Sequence, residues 1–242
     1  DYLEAIQTEG KDLPVHHVLA GDLCVVYAFD LPTFTQGVMP SDLERLGIDE
    51  EQIRKIALEN LPAHVDQPEL HWLAAGGMIT AGGFHEASLL LLPELWDEIA
   101  KEMSGEIIAT VPARDTLAFT STEIEHGVAR TLDAAMSIVA SGDHVNSATL
   151  LRRTATGWEV YEAAEERALI EAIHHSLRLL IGGDEEGARV ALDQVADKQL
   201  ATELIFDVAD DLAEEEEDPA AIVRLCNAAL ALGPSDPDLK EA

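Results

Sequence analysis

Residues 76–120 read GGMITAGGFHEASLLLLPELWDEIAKEMSGEIIATVPARDTLAFT, and most of the fold turns on how this stretch is parsed. Met78 to Thr80 and Phe84 to Leu92 are apolar runs on either side of Ala81-Gly82-Gly83. Paired glycines supply the positive φ of a tight turn, so a hairpin is expected there. Leu89 to Leu92 is apolar at every position, as in a strand covered on both faces, although four leucines could equally open a helix. Pro93 arbitrates, because proline suits the first position of a helix and breaks its interior. The strand is therefore expected to end at Leu92. A helix follows from Pro93 to about Met103, with Leu95, Trp96 and Ile99 inward, closed by Ser104-Gly105. Glu106 to Val111 and Thr116 to Thr120 are further strands, separated by the turn Pro112-Ala113-Arg114-Asp115.

Working outward, Val15 to Ala20 and Leu23 to Phe29 read as strands joined at Gly21-Asp22, the second broken at Asp30-Leu31-Pro32 and followed by a loop to Met39. Tyr2 to Gly10 reads as a short helix or a frayed end. Ser41-Asp42-Leu43-Glu44 has capping-box spacing for a short helix that stops by Gly47, and Asp49 to Gln52 repeats it. The second helix places Ile53, Ile56, Ala57 and Leu61 on one face and ends at Pro62. Leu70 to Leu73 is a weak strand, and Gly76-Gly77 and Gly182-Gly183 read as turns. Downstream, Thr122 to Glu125 begins a helix to about Ala140, with Ile124, Val128, Leu132, Ala135, Met136 and Val139 on its buried stripe, ended by Ser141-Gly142-Asp143. Ala148 to Arg153 and Trp158 to Tyr161 form a closing hairpin. Strands and helices interleaved with hairpins predict an α+β domain over residues 1–161, built on one mixed sheet with flanking helices.

After Tyr161 the strand pattern stops. Residues 162–242 read as an acidic, all-helical C-terminal module of four helices, about 163–181, 185–196, 199–214 and 219–232. Asp184-Glu185-Glu186-Gly187-Ala188 and Glu217-Asp218-Pro219-Ala220-Ala221 recur 33 residues apart. The segment AAIVRLCNAALALGPSDPDLKEA is similar to the second helix and exit of a tetratricopeptide repeat, whose period is about 34 residues. Two such helix pairs fit. The first lacks the proline exit and neither carries the aromatic signature, so a generic helical bundle stays open. Glu214 to Asp218 is an acidic run read as an inter-helix loop rather than a metal site.

GGFHEASLLLLPELW followed by VPARDTLAFT, with DLCVVYAFDLP and DLERLGIDEEQIRKIALENLP upstream, resembles the YtpQ-like bacterial proteins, a family known as a domain of unknown function. The resemblance covers about residues 15–161 and brings no substrate, cofactor or site residue with it.

Composition narrows the classes of function. Forty-seven acids against fifteen bases give a net charge of −32, with −17 in residues 1–161 and −15 in 162–242. Such a surface repels phosphate backbones and anionic membranes, so neither nucleic acid nor membrane is expected as a partner. It suits a solvated protein of a salt-adapted proteome or, alternatively, a docking surface for a basic partner. No run of eighteen apolar residues is present to span a membrane. The chain opens at Asp1 rather than Met, which leaves an upstream segment open. Cys24 and Cys226 are far apart and form neither a disulfide framework nor a metal spacing, which fits a reducing cytoplasm.

Candidate chemistry is sparse. Arg114 and Asp115 follow a strand, and His85 and Glu86 follow a Gly-Gly turn. Should the two hairpins lie side by side, these four and Ser88 could converge. Arg114 would then clamp an anion, with Glu86 or His85 as acid or base. The simpler reading has Arg114 and Asp115 holding their own turn through bonds to backbone. His16-His17 and His174-His175 are not ready chelates, since adjacent residues diverge on strand and helix alike. No HExxH, paired CxxC, Walker loop, GxGxxG or GxSxG occurs, so no metal or cofactor is expected. The sequence therefore leans away from an enzyme, toward a non-catalytic interaction or adaptor protein. Its partner would be another protein docking on the helical module, with a homo-oligomer also allowed. The alternative is an enzyme or a domain binding an anionic small molecule through Arg114-Asp115 and His85-Glu86.

Overall fold

In the computed structural model, which describes residues 12–31, 33–65, 68–141, 145–215 and 218–233, the chain divides into two units, 1–162 and 163–242. The expected N-terminal helix, the Gly142-Asp143 stop and the Pro-containing exit after Gly233 lie outside the described residues.

The first unit opens with two hairpins. β1 (His16–Ala20) pairs with β2 (Leu23–Val26), and β3 (Ala28–Leu31) with β4 (Phe34–Gly37). The second strand was expected to run on to Phe29, with 33–39 as loop. Tyr27 breaks it instead, because its backbone turns to other partners. Its N–H donates to the Val15 carbonyl (3.1 Å) and its own carbonyl accepts from Val38 N–H (2.8 Å). The buried Tyr27 ring then packs with Val15, Val38, Leu43 and Ile53 as a small core. α1 (Pro40–Leu46) starts at Pro40, and Asp42, not Ser41, caps it by accepting from Met39 N–H (3.0 Å). α2 (Glu50–His64) carries the expected reciprocal cap between Asp49 and Gln52. It passes through Pro62 and ends two residues later; a proline this close to the end removes little, and Val65 N–H still bonds the Leu61 carbonyl.

The main sheet is formed by β5 (Glu69–Leu73), β6 (Gly76–Thr80), β7 (Ile107–Ala113), β8 (Thr116–Ser121), β9 (Leu151–Thr154) and β10 (Gly157–Val160), in the order β10-β9-β7-β8-β6-β5. The fold class is α+β, and every pair in the sheet is antiparallel. Gly76 and Gly77 are strand residues, not a turn. A Cβ on Gly76 would lie 2.1 Å from the Phe119 carbonyl oxygen, and one on Gly77 2.4 Å from the Phe119 ring, so only glycine lets β6 meet β8 this closely.

The strand expected from Phe84 to Leu92 does not form. β6 already has β5 on one edge and β8 on the other, which leaves no edge for a further hairpin partner. Residues 82–84 turn instead into a 3-10 helix, Glu86–Leu91, and α3 (Pro93–Glu102) begins at Pro93 as expected. Every residue of β7 is buried. Ile107, Ala109 and Val111 join Leu89, Trp96 and Phe119 in the main core, while α4 (Gly127–Ser141) packs against β7 and β8. α4 starts at Gly127 rather than at Thr122, since residues 122–126 remain a turn. Trp96 centres the core: its Nε1–H donates to the Leu89 carbonyl (2.9 Å), and its ring meets Phe119 and Trp158 edge to face.

The second unit consists of α5 (Ala164–Ile181), α6 (Glu185–Gln194), α7 (Lys198–Glu214) and α8 (Pro219–Leu232). Asp184, Asp197 and Asp218 cap the last three through their side chains. α5 packs on α6, α7 on α8, and α5 on α8. The starts of α5 and α7, and those of α6 and α8, are each 34 residues apart. Among the described residues no helix is long and apolar enough to cross a membrane.

Candidate functional site

Glu86 shows first what the Gly-Gly turn is for. It is 1% exposed, and its Oε1 accepts from Ala81 N–H (2.8 Å) and Gly83 N–H (2.7 Å) while Oε2 accepts from His85 N–H (3.0 Å). Burial alone would raise its pKa, but these backbone donors outweigh burial and hold it below the usual glutamate value. The carboxylate is thus spent on its own loop. That loop is tied to the β7–β8 turn by a bond from Ala87 N–H to the Arg114 carbonyl (3.3 Å).

The expected pair of hairpins does not form, but the two turns are joined by this bond, and a cleft of about 1270 Å³ opens beside them within the first unit. His85, Ser88 and Arg114 line it; Glu86 and Asp115 do not. Asp115 is exposed and accepts from the neighbouring Thr116 hydroxyl (3.4 Å). The opposite wall comes from β2, β3, β4 and α2, and the floor from the 3-10 helix, Trp96 and the β9–β10 hairpin. The α2 face predicted from Ile53, Ile56, Ala57 and Leu61 is the face turned to this cleft.

The lining inverts the charge of the chain. Among the described residues, Arg54, Arg114 and Arg153 line the cleft, and Asp30 is the only acid that does. Asp30 is itself faced by His64 (Nδ1 to Oδ2, 3.2 Å). Arg153 is committed to structure through the Trp96 carbonyl (2.9 Å) and Asp97. Arg114 lies over the Phe84 ring, 5.1 Å from its centroid, a cation–π stack that holds the guanidinium at the rim. Among the described residues neither Arg54 nor Arg114 has a carboxylate within ion-pair distance.

Inside the cleft, His17 and Tyr27 share a hydrogen bond (2.9 Å). Burial, then the nearby Arg54 charge, lowers the His17 pKa, while burial raises that of Tyr27. His17 therefore stays neutral at pH 7. Among the described residues no group of three His, Cys, Asp or Glu side chains is placed to hold a metal ion. Sequence reasoning missed Arg54, His17, Tyr27 and Phe84 as site residues, because the cleft joins segments far apart in the chain. The one local signal was α2, whose apolar face carries an exposed Ile56 and so lacks a protein partner along part of its length. The chain matches no protein-family model, no curated protein and no solved structure.

Proposed function

We propose that the first unit is a small-molecule-binding domain whose cleft takes an anionic ligand with a large apolar body, bound by Arg54 and Arg114. One observation carries the reading: among the described residues, two arginines with no carboxylate at ion-pair distance line one cleft in a chain of net charge −32. In so acidic a protein, chance placement would leave acids around any surface opening. Ligand sites combine apolar walls with a few polar groups, and this lining combines apolar side chains with the two arginines. Binding is favoured over catalysis because Glu86, the strongest candidate acid or base, is enclosed by its loop. The YtpQ-like resemblance of this unit remains part of the proposal and brings no activity that competes with it.

The test is a titration with 8-anilinonaphthalene-1-sulfonate, an apolar aromatic anion, against wild type, Arg54→Gln and Arg114→Gln. A charge-assisted hydrogen bond contributes about 1.5–3 kcal/mol, so each substitution should weaken binding by roughly tenfold to a hundredfold. Unchanged affinity in both variants, with unchanged melting temperatures, would overturn the proposal.

The adaptor reading keeps one specific support. The helix starts repeat at 34 residues, and Val190, Val223 and Leu230 are exposed on the second unit. A photo-crosslinker placed in turn at Val223 and at exposed Glu186 tests it. A partner trapped only from Val223 supports docking on the apolar surface, whereas equal or no trapping argues against it.

A further inference from the structure

We infer that the apolar body of this ligand is a single flexible alkyl chain, so that the cleft takes a free anionic amphiphile with its head at the rim. The inference rests on the anion-binding reading above and specifies the ligand class for the same cleft.

Apart from Arg153, the charged side chains of the lining are exposed at the rim, beside the exposed Leu31, Phe34, Ile56 and Phe84, while the buried lining is mostly apolar. At the rim, Arg54, Arg114, Thr33, Thr35 and His64 are exposed. Deeper, Leu90, Ile53 and Trp96 are buried, with half-buried Leu19, Val26 and Leu58 between. A ligand that follows this arrangement has its charge at one end and hydrocarbon along the rest.

Among the described residues, the buried polar side-chain atoms of the inner wall are satisfied except for one. His17 Nε2 is buried without a hydrogen-bond partner, while Tyr27 Oη and His17 Nδ1 bond each other. The indole N–H groups are likewise occupied, Trp96 by the Leu89 carbonyl and Trp158 by the Leu90 carbonyl (2.8 Å). Arg153 is held by Trp96 and Asp97. A ring system with several polar edges would meet one unpartnered buried atom here, His17 Nε2, and leave its other edges unpaired, which is costly. A methylene chain leaves none.

The volume and the exposed rim agree. About 1270 Å³ exceeds the roughly 300–1,000 Å³ of sites for compact drug-sized ligands. Leu31, Phe34, Ile56 and Phe84, all lining residues, are among the exposed large apolar side chains of the unit, at 37%, 58%, 41% and 65%. Contiguous apolar surface of this kind marks a binding site on a monomer.

The experiment is calorimetric titration of the full chain with straight-chain carboxylates from hexanoate to dodecanoate, each below its critical micelle concentration. Burying one methylene should tighten binding about fourfold, so each two-carbon step should gain roughly fifteenfold until the cleft is filled. A second variant, Ala57→Trp, puts bulk into the cleft from α2 and should move the plateau to a shorter chain. Arginine-dependent binding of the aromatic sulfonate, together with affinity flat in chain length, would overturn the alkyl inference and leave the anion-binding reading standing. Failure of both probes would overturn both.

Discussion

Glu86 and His17 are the residues whose surroundings differ most from what their neighbours in sequence suggest. Glu86 is held ionised by three backbone donors, so Glu86→Gln places an amide N–H₂ against an N–H that needs an acceptor. The loss should be about 2–3 kcal/mol at pH 7, a fall in melting temperature of roughly 5–10 °C for a chain of this size. The folded pKa is depressed, so the stabilisation is present above the unfolded value of 4.5 and disappears as pH falls through the folded value. The gap between wild type and variant should accordingly narrow on acidification below pH 4.5; a constant gap down to pH 3 would mean that ionisation is not what the loop requires. His17 behaves in the same direction from a higher starting point. Its charged form is disfavoured in the fold, so the unfolded chain takes up its proton first, near 6.5, and stability falls as pH drops below that. Melting temperatures measured at pH 7.5 and 5.5 should fall less in His17→Gln than in wild type.

Among the elements, those whose pattern is local were legible and those set by pairing were not. α3, β7, β8 and the four helices of the second unit begin close to where Pro93, turn residues and the apolar pattern place them. Phe84 to Leu92 failed because strand or helix there depends on whether β6 has a free edge, and β8, nearly forty residues on, occupies it. The same distance effect hid the cleft, whose walls come from residues 17–64, 84–96, 114 and 153–158. His85, Ser88 and Arg114 could be grouped from sequence only because two turns flank the same core strands; Arg54 could not. In the second unit, Arg224 joins the two helix pairs. Its Nε–H donates to the Leu180 carbonyl (2.7 Å) and its Nη2 to the Ile181 carbonyl (2.8 Å), satisfying the C-terminal end of α5 from α8. Arg224→Met keeps the stem and removes both bonds, and should lower stability by about 2–3 kcal/mol. Circular dichroism melts would show it; a variant melting like wild type would mean that α8 is held by packing alone.

At the scale of the molecule, −32 spread over 242 residues is a self-repulsion that salt relieves. Raising KCl from 0.05 to 1 M should raise the melting temperature, and a flat or falling response would mean that the carboxylates are already locally compensated. The same charge supplies the sharpest test of the cleft. A generic apolar surface on so acidic a protein would draw cationic amphiphiles in preference to anionic ones, whereas Arg54 and Arg114 reverse that preference locally. The deciding measurement is therefore a paired titration with decanoate and decylammonium, matched in chain and opposite in charge, at 0.15 M salt. Tighter binding of decanoate, lost in the Arg54→Gln/Arg114→Gln double variant, is the predicted result. Tighter binding of decylammonium to wild type would contradict it.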